Sequence, residues 1–281
     1  MRGIPDDGLE LTACHAGVPV ARTAAWTLAL ALLTSLLPHA PATAQPVQTK
    51  TMSDIHTVAI IAALGNQAKY QRVGLMVFGN ESGPVDIESW GLDDAVVHEM
   101  TAVLQGHYAV RNADYDHAAF ATADVSGGDW LGSEPTLYNL LVQRNDRALV
   151  DAYIVVVRGG VKDIVGGTNQ PMIGLGMYRH PFGLSGHVVA DYAIFDVFVV
   201  DSYTCKEITT SKLILGEDQF DNPIFPVRQT KESDFPENYA DLTSMQIEDL
   251  RDTSLQLLES ATRPTLTQLR FKVNPQTSTQ Q

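Results

Sequence analysis

The chain has 281 residues, with 33 Asp and Glu against 19 Lys and Arg and a formal net charge of −14. That balance leaves no basic footprint for nucleic acid and disfavours electrostatic docking on anionic lipid. Its cysteines are Cys14 and Cys205, too few for a disulfide framework, so cohesion must come from packing.

The first element is a leader. Arg22 precedes the apolar run Trp26–Leu37, and Ala42-Thr43-Ala44 follows it before Gln45. A basic flank, a short Leu/Ala core and a small-x-small site spell a signal peptide over 1–44, cleaved before Gln45. The run falls short of the roughly 20 residues of a membrane span. The expectation is a periplasmic or secreted protein with no stable membrane span after cleavage. Asp6, Asp7 and Glu10 stand where a basic region belongs, which points to an over-early start covering 1–17. Leu11-Thr12-Ala13-Cys14 has the spelling of a lipobox, but it precedes the apolar core instead of following it.

Residues 45–56 read as a polar linker, followed by a single α/β domain over 57–264. Thr57 to Leu64 is a continuous apolar run that suits a strand buried on both faces. Arg72 to Phe78 is a second such run, and Gly65-Asn66 between them suits a loose hairpin. Gly91 to Leu104 carries Leu92, Val96, Met100 and Val103 at helical spacing, with Asp93 and Asp94 in the first turn, where the helix dipole favours them. His107 to Arg111 is a strand, 112–132 a polar loop, and Pro135 opens a second helix. Asp151 to Val157 is a core strand. The glycine-rich stretch 166–186 reads as a loop or irregular hairpin. His187 to Asp201 is a long strand that pairs with 206–215 as a hairpin, and 216–237 is irregular. Tyr239 to Thr262 is an amphipathic helix stopped by Pro264, and 265–281 is a flexible tail. The fold class is therefore α/β: a mixed, partly parallel sheet flanked by about three helices, with an antiparallel hairpin in the second half.

Four segments resemble a set of bacterial envelope domains. They are Val77-Phe78-Gly79-Asn80 with Ser82, Trp90-Gly91-Leu92-Asp93-Asp94, the strand Asp151 to Val157, and Val200-Asp201-Ser202-Tyr203-Thr204. Together they are similar to the N-terminal α/β domain of the Tol-system propeller protein, and to the curli-export and penicillin-binding-protein-activator lipoproteins. The resemblance spans about residues 57–262. It implies a non-catalytic scaffold that binds other envelope proteins, and it transfers no catalytic residue. Cys205 departs from the pattern, standing where the family's hairpin has glycine.

Candidate chemistry is sparse. Gly183-Leu184-Ser185-Gly186-His187 approaches a nucleophile elbow, but that motif needs glycine where His187 stands. Asp54-Ile55-His56 echoes a metallophosphoesterase but precedes its strand instead of ending it. Asp191, Asp196 and Asp201 punctuate one strand. Period-2 alternation places Asp196 on the face opposite the other two, where it marks an edge strand or faces a cleft. A dispersed hydrolase site would draw on Asp196, His187 and Ser185. Asp114, Asp116, Asp124 and Asp129 crowd one loop, where oxygen ligands suit calcium or simply solvate. His98, His107, His117 and His180 lack metal-ligand spacing. Gly159-Gly160 and Gly166-Gly167 lack the Lys-Ser/Thr of a phosphate loop, so no cofactor is implied. Trp90, Trp130, Tyr178 and Phe182 sit in or beside loops and could form a binding surface. The resulting expectation is an exported binding or scaffold module, with a secreted hydrolase as the alternative.

Overall fold

A computed structural model describes residues 48–74, 79–122, 135–162, 170–182, 186–212, 227–229 and 231–274. The segment 1–44 expected to be a signal peptide, Ser185, Asp124, Asp129 and Trp130 lie outside the described residues.

The strands are β1 (Thr57–Ala63), β2 (Gln67–Arg72), β3 (Glu81–Asp86), β4 (Ala109–Arg111), β5 (Ala152–Arg158), β6 (Gly160–Lys162), β7 (Pro171–Phe182), β8 (Gly186–Asp201), β9 (Glu207–Lys212) and β10 (Val227–Gln229). The helices are α1 (Leu92–Leu104), α2 (His117–Thr122), α3 (Pro135–Val142) and α4 (Ser244–Gln268). They form one mixed sheet with helices on both faces, the α/β class expected from the sequence.

The 16 residues of β8 are the spine. Its C-terminal half pairs with β5 and β9, and β1 and β4 extend that lower half beyond β5. Its N-terminal half pairs with β7 and β10, and β2 and β3 extend that upper half beyond β7. β7 takes over from β5 at Gly159, whose N–H bonds Ile194 O and whose O accepts from Gly174 N. β1 runs parallel to β5, and β2 runs parallel to β7. β1 and β2 therefore do not form the expected hairpin: Gly65, at φ +83, instead lets one strand pass from the lower half to the upper.

Two cores follow from strand alternation. Val58, Ile60, Ile154, Val156, Phe195 and Val197 pack against α1 and α4 on the first face. Ala59, Ile61, Tyr153, Val155 and Phe198 pack against Phe120 of α2 and Leu137 and Leu141 of α3 on the second. The five buried apolar side chains of α1 each contribute about 1.5–3 kcal/mol. Asp93, in its first turn, accepts from Leu64 N at 2.8 Å and so ties the helix to the end of β1.

Four sequence expectations need correction. The strand after β1 is Gln67–Arg72, so the strand expected over Arg72–Phe78 overlaps it only at Arg72; Val73 and Gly74 belong to no strand, and 75–78 lie outside the described residues. Inside the expected loop 112–132 lies α2, anchored by Phe120. For the glycine-rich stretch the loop is corrected in favour of the hairpin: it contains the 12-residue β7, antiparallel to β6 and β8, where Gly174 and Gly176 supply close approach to neighbours. Pro264 sits inside α4, which runs on to Gln268, and Leu266, Leu269 and Phe271 beyond it are buried.

Candidate functional site

At the lower end, β5 begins and β8 finishes. Asp201 accepts hydrogen bonds from Lys50 N, Tyr203 N and Thr204 N at 2.8, 2.9 and 2.6 Å. Asp151 takes Lys50 Nζ at 2.6 Å and the backbone N–H groups of His56 and Thr57. Burial pushes both carboxyls up, yet these donors hold each below the usual carboxylate range. Lys50, in the segment read as a polar linker, is thus tied to both carboxylates.

Beside this clamp, a 3₁₀ turn (Arg147–Leu149) presents Arg147 to three carbonyls: Ser202 O at 2.8 Å, Val142 O at 3.1 Å and Tyr203 O. That guanidinium gathers the end of α3, the turn and the β8–β9 connection onto one surface. Six large apolar side chains are exposed among the described residues: Leu149 (59%) and Tyr203 (62%) belong to this surface, and Tyr138 (44%) and Val142 (36%) lie on α3, whose end Arg147 holds through Val142 O. Tyr138 and Val142 are one helical turn apart, so they share a face. A cleft of about 610 Å³ lies alongside, lined by Lys50, Arg147, Leu149, Asp151, Asp201 and Tyr203 among others. It offers apolar contact and ring stacking, and among the described residues that line it no nucleophile is paired with an oriented base.

The residues singled out in the sequence do not assemble there. Asp196 is buried at 1% on β8, which carries strands on both sides and so is not an edge. It lies against Gly159, whose missing side chain leaves it room: a Cβ there would come within 2.9 Å of Asp196 Oδ1. His187 stands near the other end of β8, on the opposite face, about 30 Å of strand away. The two cannot share a hydrolase site. His187 Nδ1 instead meets Glu232 at 2.5 Å, and Arg179 reaches the same carboxylate at 2.9 Å. Asp114 and Asp116 are exposed. Asp116 Oδ1 accepts from Ala119 N at the start of α2. Among the described residues, no group of three or more His, Cys, Asp or Glu side chains is placed to hold a metal.

The binding aromatics also part company. Tyr178 is fully buried on β7, a correction to its surface role: a strand side chain facing the sheet interior cannot meet a macromolecular partner. Trp90 packs partly buried against the first core. Phe182 ends β7.

Sequence reading missed Arg147, Leu149 and Tyr203. Arg147 and Leu149 had no signal, since an exposed Leu in a short turn looks like any other. Tyr203 falls inside the segment Val200 to Thr204, whose pattern marks a strand end and says nothing of the ring's exposure. The turn after it uses Cys205 at φ +52, the left-handed conformation that glycine adopts freely.

No protein-family model matches the chain, and no curated protein matches it. Among solved structures it is similar to a neuraminyllactose-binding hemagglutinin homolog from Helicobacter pylori, at 10% identity and a TM-score of 0.32. That alignment covers 79% of this chain and 87% of the other. Similarity at this level transfers no residue and no role.

Proposed function

We propose that the protein is exported after removal of residues 1–44 and acts in the bacterial envelope as a non-catalytic binding module. The observation that carries this reading is the exposure of Leu149 and Tyr203 beside Arg147, with Tyr138 and Val142 exposed on the α3 end that Arg147 holds. Apolar side chains gathered on one surface are a mark of partner contact, and a Tyr beside an Arg is the usual composition of an interface anchor. Export is supported by the leader's composition, and an envelope partner by the resemblance of the four sequence segments. No helix among the described residues is long and apolar enough to cross a membrane.

The test pairs retention with stability. Immobilised wild-type protein should retain a defined envelope partner, and Leu149→Asp combined with Tyr203→Ala should release it. Both side chains are exposed, so the melting temperature should stay within about 2 °C. Equal recovery by the double variant would remove this surface from the function. N-terminal sequencing of the purified protein checks the leader, and a chain still carrying residues 1–44 would refute export.

A further inference from the structure

A second site lies in the upper half of the sheet, on the face away from α1 and α4. Strand register places Lys69 and Gln71 of β2, Gly176, Tyr178 and His180 of β7, and Tyr192 of β8 on that one face. Among the described residues, the helices on this side are α2 and α3, and both pack over the lower half.

Polar groups on this face lack hydrogen-bond partners. Tyr192 is fully buried and its hydroxyl is unpartnered, and Gln71 is 96% buried with its Oε1 unpartnered. His180 Nδ1 is in the same position. Lys69 is half-buried and forms no ion pair among the described residues, and desolvation pushes its ammonium below the ordinary lysine value. A buried hydroxyl or amide left unsatisfied destabilises a fold, and replacing Tyr by Phe or Gln by Met would remove the penalty. Three such groups and a desolvated ammonium on one patch therefore point to use and not to accident.

The geometry gives the patch an approach. Ser82, Pro84 and Asp86 of edge strand β3 are exposed on the same face, Lys69 beside them is half-buried, and Gln71 and Tyr192 lie deepest. Gly176 lets the Tyr192 hydroxyl lie close against the β2–β7 pair: a Cβ there would come within 2.9 Å of that hydroxyl and 2.1 Å of Lys69 O.

We propose that this face binds a small hydroxylated anion. Lys69 takes the anionic group. Gln71 Oε1 accepts from a ligand hydroxyl, the Tyr192 hydroxyl bonds a second, and the Tyr178 ring provides an apolar wall. This site is separate from the lower-end surface, so it stands or falls independently of the envelope-partner reading.

Calorimetry and thermal melting with gluconate as the probe test it, with acetate and sorbitol as the arms that supply only the charge or only the hydroxyls. Gluconate should bind and raise the melting temperature. Acetate and sorbitol should each bind at least tenfold more weakly. Tyr192→Phe and Lys69→Met should each weaken gluconate at least tenfold. Unliganded Tyr192→Phe should melt about 2–4 °C higher than wild type, because the unpartnered hydroxyl is gone. The proposal is overturned by an absence of gluconate binding, by unchanged affinity in both variants, by acetate matching gluconate, or by a lower melting temperature for unliganded Tyr192→Phe.

Discussion

Single residues decide how closely the strands approach. A Cβ on Gly176 would lie 2.1 Å from Lys69 O, a backbone atom that cannot swing aside. One on Gly160 would meet nothing nearer than 3.4 Å, in a side chain. Gly176→Ala should therefore cost about 1–3 kcal/mol by forcing β2 and β7 apart, whereas Gly160→Ala should be near neutral. Urea unfolding of the two variants checks the contrast, and equal midpoints would refute it. This distinction was not legible in the sequence, where both glycines fall in runs that read as turns and loops. What separates them is a neighbour far away along the chain. Cys205 repeats the point. Its left-handed φ and 1% exposure follow from Asp201 closing the turn through Tyr203 N and Thr204 N. Burial pushes its thiol up, away from the reactive thiolate.

At the scale of elements, α1, β5 and the β8–β9 hairpin were readable because their own periodicity suffices. α4 was read with the wrong end. A proline removes one helical hydrogen bond, here the one from position 264 to Ser260 O, and that normally stops a helix. Here Ala261, Thr262, Thr265 and Leu266 on either side of it are buried against the sheet, and the Thr262 and Thr265 hydroxyls bond Leu258 O and Ala261 O at 2.8 and 2.7 Å. Packing on both sides of the proline outweighs the lost bond, and the capping box of Thr243 and Gln246 secures the helix start. Pro264→Ala should restore the bond and stabilise the protein by about 1–3 kcal/mol. A melting temperature unchanged or lowered in that variant would show the proline to be better tolerated than its position implies.

For the whole molecule, charge sets the response to acid. Asp146, Asp151 and Asp201 are each held below the usual carboxylate range. Burial opposes this in all three, and partners prevail: Arg144 and Tyr153 at Asp146, Lys50 with backbone donors at the other two. A carboxylate depressed in the folded state contributes stability that is complete above its unfolded value of about 4 and is lost as pH falls through the folded value. Melting temperature should thus drop steeply below about pH 4. Lys50→Met should lower the melting temperature at neutral pH and flatten its fall in acid, since Asp151 then loses its cation. A parallel pair of melting-against-pH curves would deny Lys50 that role.

From the sequence alone came the acidic character, the α/β class and the elements whose residues repeat at 2.0 or 3.6, because composition and periodicity are local properties. Tertiary structure decided the rest. It made β8 a spine with partners on both edges, set Asp196 and His187 on opposite faces, buried Tyr178, and drew Leu149 and Tyr203 together around Arg147. It also placed Lys69, Gln71 and Tyr192 on one face of the upper sheet. The physical reason is the same in each case: which side chains meet depends on strand register and on contacts between residues tens to hundreds of positions apart, and no local pattern encodes those.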